Sequence, residues 1–103
     1  MFMTFGFEEL INRVVGKMLV EHPDNFIISY SNINFPHGVV HIDSNFLGKH
    51  RKVKFCFDYN KSKVMELSVQ EMCGVVSTRH IFVDDNASDV FDYIMSVLMS
   101  KDD

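Results

Sequence analysis

Several groups of residues in this 103-residue chain have side chains suited to chemistry. Cys56 with a histidine such as His41 has the residue types of a thiolate–imidazole nucleophile. A reactive thiol needs a helix start or a pocket that lowers its proton affinity, whereas Cys56 lies mid-way along an alternating stretch beside Lys54. Asp84 and Asp85 are paired carboxylates of the kind used for proton transfer. They directly precede a helical pattern, where such residues cap free amides. His37, His41 and Asp43 offer nitrogen and oxygen ligands that zinc accepts, but no HExxH or CxxC spacing accompanies them. Arg79-His80 suits an anion, and a surface strand explains it as well.

The densest charge is Lys49-His50-Arg51-Lys52-Val53-Lys54. Lys49, Arg51, Lys52 and Lys54 are the candidate contacts for nucleic-acid phosphates or for an acidic protein partner. The overall charge of −4 and the absence of an aromatic clearly on the same face point away from nucleic acid. Lysines also protect a strand edge from aggregation. The five glycines are scattered, with no phosphate-cradling loop or dinucleotide fingerprint. No catalytic residue, metal or cofactor is therefore assigned.

The elements that must position these groups centre on Arg51–Val69. Val53, Phe55, Phe57 and Tyr59 alternate with Lys52, Lys54, Cys56 and Asp58, the period of a strand with one buried face. Asn60-Lys61-Ser62 is a turn, and Met65, Leu67 and Val69 form the apolar side of the return strand. The open side then carries Lys52, Lys54, Cys56, Asp58 and Glu66.

Upstream, Phe7, Leu10, Ile11, Val14 and Met18 form a helical stripe, widened by Val15 and Leu19 and ended by Pro23. Thr4 is the expected cap, Glu8 and Glu9 are expected in the first turn, and Gly16 is expected to mark close approach by another element. Phe2 and Phe5 are expected over the sheet or against a second subunit. Strands are expected over 25–34, 39–43 and 75–83, the first and last without a clear phase, although Ser29 and Ser31 favour Phe26, Ile28 and Tyr30 as the buried set of the first. Residues 44–50 are expected as a loop with Phe46 and Leu47 tucked beneath it. Residues 70–74 are expected as a break, and Cys73 as a small buried hydrophobe. Asp85 or Asn86 starts a second helix with its stripe at Val90, Phe91, Ile94, Val97 and Leu98, Asp89 in its first turn and Lys101 near its end.

The order helix, about five strands, helix implies one α+β domain over 1–103: a two-layer fold, its antiparallel sheet covered on one face by the N-terminal and C-terminal helices. A hydrophobic fraction of 47% excludes disorder and leaves apolar surface for a partner or a homodimer. No secretory signal or twenty-residue apolar run is present, and two cysteines without CxxC fit a reduced, cytoplasmic protein. The layout is similar to that of many small bacterial and phage proteins, including secretion chaperones, toxin-immunity proteins and inhibitors of host defence. The expected function is non-enzymatic protein binding by surface occlusion, with Lys49, Arg51, Lys52, Lys54, Asp58, Asp89 and Asp92 as partner-binding residues. A nucleic-acid-associated module using 49–54, and a small enzyme with a Cys/His or Asp/Asp site, are the alternatives.

Overall fold

Alternation in sequence becomes a five-stranded antiparallel meander in the computed structural model, with the strands in chain order and a helix at each end. The structure describes residues 4–33, 36–58 and 64–100, residues 4–6 as backbone only. The elements are α1 (Thr4–Glu21), β1 (Phe26–Asn32), β2 (His37–Phe46), β3 (Lys49–Asp58), β4 (Val64–Glu71), β5 (Gly74–Phe82) and α2 (Ala87–Leu98). The expected turn at 60–62, Tyr59, Lys101 and the side chains of Phe2, Thr4 and Phe5 lie outside the described residues.

The core is built in rows across the sheet. Val40, Phe55 and Leu67 are register partners, as are Ile42, Val53 and Val69, and all six are buried. Gly38, Phe57, Met65 and Ile81 make a third row. Each large apolar side chain buried this way contributes about 1.5–3 kcal/mol from removal from water. The α1 stripe of Phe7, Leu10, Ile11, Val14, Val15 and Met18 is buried, and Phe7 stacks on Phe57 with ring centroids 5.2 Å apart. In α2, Val90, Phe91, Ile94 and Leu98 are buried. His22, just past α1, sits among Phe26, Phe46 and Phe91, with ring centroids 6.2, 5.4 and 6.3 Å away.

Several local expectations change. Thr4 is already helical, so no acidic residue falls in the first turn of α1. An added Cβ at Gly16 meets nothing within 4 Å, so no element approaches there. The close approach is at Gly38 instead, against the Phe57 ring. The stretch 44–50 is not a loop: β2 runs to Phe46, β3 starts at Lys49, and Leu47-Gly48 alone makes the turn. Both turn residues have positive φ, 57° and 74°, the geometry of a two-residue hairpin that matches strand twist. Leu47 is 50% exposed rather than tucked away. Likewise 70–74 is a tight hairpin, Glu71 pairing with Gly74, which leaves Cys73 exposed.

A leucine in left-handed backbone is strained by its Cβ, and asparagine tolerates that region better. Leu47→Asn is expected to raise stability by about 0.5–1 kcal/mol, read from the denaturant midpoint. An unchanged or lower midpoint would show that the Leu47 side chain contributes more than its backbone costs.

The unclear phase of the two outer strands has one cause. Ile28 pairs with Ile42 but Tyr30 pairs with His41, so Ser29 is an extra residue that flips the strand's parity; of the favoured buried set only Phe26 is buried, while Ile28 and Tyr30 are exposed. On β5, Ser77 pairs with Val69 and Val75 with Gln70, leaving Val76 as the extra residue. These are β-bulges, one per edge strand.

A candidate binding face on the sheet

The alternation that buries Val53, Phe55 and Phe57 turns Lys52, Lys54, Cys56 and Asp58 to the other side of β3, where they are half-exposed. Register sets their neighbours: Lys52 lies opposite Asp43, Lys54 opposite His41, Cys56 opposite Val39, and Asp58 opposite His37. On β4 and β5, Glu66 and His80 continue the Cys56 row, and Ser68 and Thr78 continue the Lys54 row. A depression of ≈ 530 Å³ lies at one end of this region, bordered by His37, Val39, Cys56, Asp58, Glu66 and His80. His37 Nδ1 stands 3.8 Å from the Asp58 carboxylate.

The seven expected contact residues do not form one patch. Lys52, Lys54 and Asp58 share the face just described. Lys49 is half-exposed where β3 begins, opposite Phe46. Asp89 and Asp92 are exposed on α2. Arg51 is a correction: it is 6% exposed, because the alternation carried two residues back from Val53 points it inward. Its Nε donates to the Glu71 carboxylate at 2.7 Å, and its Nη1 donates to the Val97 carbonyl at 2.8 Å. Arg51 therefore joins β3, the end of β4 and the last turn of α2, where the helix dipole favours a cation.

Asp85, Asn86 and Arg79 have clear structural partners. The Asp85 carboxylate accepts from the Phe82 amide at 2.9 Å, and Asn86 caps α2 by accepting from the Ser88 amide at 2.7 Å. The Arg79 guanidinium lies 4.8 Å from the Tyr93 ring centroid, and the Tyr93 and Ser77 hydroxyls are hydrogen-bonded. Among the described residues, no group of three or more His, Cys, Asp or Glu is placed to hold a metal ion. Burial pushes the Cys56 thiol up, with Glu66 adding to the effect and Lys54 opposing it. His41 is pushed below its usual range by burial, then by Lys52 and Lys54, against the pull of Asp43. Both shifts run opposite to those that favour a thiolate–imidazolium pair.

What the sequence did not reveal is Tyr30. The bulge at Ser29 brings it opposite His41, with ring centroids 5.6 Å apart. His41 Nε2 is buried here with no hydrogen-bond partner among the described residues.

The depressed proton affinity of His41 has a measurable consequence. The unfolded chain binds the proton near 6.5 and the folded chain only at lower pH, so this group's contribution to stability is complete above that value and falls as the solution is acidified. His41→Gln is expected to flatten the loss of stability between neutral and mildly acid pH, measured by denaturant melts at each pH. An identical slope in the variant would remove His41 as the source.

The fold is a helix-flanked antiparallel meander whose sheet presents a half-exposed, mixed-charge face. No protein family, curated protein or solved structure matches the chain. Among the described residues, no helix is long and apolar enough to cross a membrane.

Proposed function

We propose that this chain is a non-enzymatic protein-binding module that acts by covering a surface of another protein with the half-exposed face of its sheet. The observation that carries the reading is the parity of β3. Its odd-numbered residues from Arg51 to Phe57 are buried, and α1 and α2 are tied to them through Phe7–Phe57 and Val97–Arg51. The even-numbered residues from Lys52 to Asp58 remain half-exposed, with polar rows extending from β2 to β5. Such a surface has the mixed polar character of non-obligate interfaces. An inhibitor, an immunity protein or a chaperone-like protein would each use it in the same way, by occlusion.

The test is site-specific photocrosslinking in extract of the source cell. A crosslinker replacing Thr78, on the face, is expected to capture one partner species in stoichiometric yield. The same group at Asp92, on α2, is the comparison. If neither position captures a stoichiometric partner, or Asp92 alone does, the reading is wrong.

A further inference from the structure

We propose that this face receives an acidic segment of the partner protein, with carboxylates seated between Lys52 and Lys54, beside His41. This inference rests on the binding reading above and names the chemistry of its partner. Lys52 and Lys54 stand two residues apart on the same side of β3, and neither forms an ion pair among the described residues. His41 lies directly across from Lys54, its Nε2 buried away from solvent with no hydrogen-bond partner among the described residues. Tyr30, on the neighbouring edge strand, closes the β1 side of the site.

One ligand group can serve both ammonium groups. A carboxylate accepts from both ammonium groups, and charge-assisted bonds of this kind are the strong ones. The groups acting on His41 are Lys52 and Lys54 from β3, Tyr30 from β1 and Asp43 from its own strand. Burial, and then the two lysines, push His41 below its usual range when the site is empty. A bound carboxylate offsets the lysines, so occupancy makes His41 easier to protonate and binding tightens toward mildly acid pH.

A protein segment suits this charge pattern better than a nucleic acid. Asp43, Asp58 and Glu66 share the face with the lysines. They repel a continuous polyphosphate, whereas a few spaced carboxylates can meet the cations and avoid the acids.

The experiment titrates the ¹⁵N-labelled full chain at low salt with three probes. These are a short poly-glutamate peptide, a neutral Gly/Ser peptide of equal length and a single-stranded oligonucleotide. Poly-glutamate is expected to shift the resonances of Lys52, Lys54 and the His41 imidazole, and the neutral peptide is expected to leave them unmoved. Lys52→Ser/Lys54→Ser is expected to weaken the interaction on the order of tenfold, and His41→Gln is expected to remove its tightening toward mildly acid pH, with both variants keeping wild-type dispersion. No shift with poly-glutamate, equal binding by the double variant, or tighter binding of the oligonucleotide would each overturn the proposal. A partner captured at Thr78 together with a negative poly-glutamate titration would retain the binding reading and discard this one.

Discussion

Gly38→Ala should cost about 1–3 kcal/mol and lower the thermal midpoint. Gly38 and Phe57 are directly opposed on β2 and β3, and a Cβ built at Gly38 falls 2.1 Å from the tip of the Phe57 ring. The ring is 5% exposed and stacked on Phe7, so it cannot swing away without opening the contact between α1 and the sheet. Shortening the aromatic partner should relieve the clash: in Gly38→Ala/Phe57→Leu the loss should be smaller than the sum of the two single losses, because the residues share one space. Additive losses would show that Gly38 is needed for some reason other than room for the ring.

The second large effect concerns the Arg51–Glu71 pair, and its useful feature is asymmetry. Arg51 has a 5% exposed side chain and Glu71 one that is 29% exposed. Removing the carboxylate strands a charge that cannot reach water, so Glu71→Leu should cost about 2–4 kcal/mol, somewhat below a fully buried pair because Glu71 is partly solvated. Arg51→Met fills much of the same volume with apolar atoms and leaves a glutamate able to rehydrate. It should cost about 1 kcal/mol, chiefly the lost bond to the Val97 carbonyl. Equilibrium denaturation of the two single variants tests the order. If Arg51→Met proves the more damaging, the guanidinium matters through its tie to α2 rather than through the ion pair.

The regular parts of the fold were legible because each element carries its own period. The stripe from Phe7 to Met18 and the alternation from Val53 to Phe57 correspond to buried residues along α1 and β3. Two signals were not legible. A bulge reverses the inside–outside pattern without changing composition, so nothing about Ser29 told that Phe26 and Tyr30 lie on opposite sides. A leucine at the Leu47 turn position conceals a hairpin that Asn-Gly would have announced, which made 44–50 read as a loop. Arg51 is the instructive miss. Its type suggested a surface contact, while its spacing from Val53 already placed it inside, and the spacing prevailed because Glu71 and Val97 satisfy its donors. For the binding face, Lys52, Lys54 and Asp58 were readable from β3 alone, whereas their assembly with Tyr30 required long-range register.

Both rims of this ribbon are kinked, at Ser29 and at Val76. A kinked rim makes a poor template for another chain's backbone, so growth into stacked cross-β polymers is obstructed at both ends. With its rims blunted in this way, the broad side of the sheet is the surface left for another chain to meet.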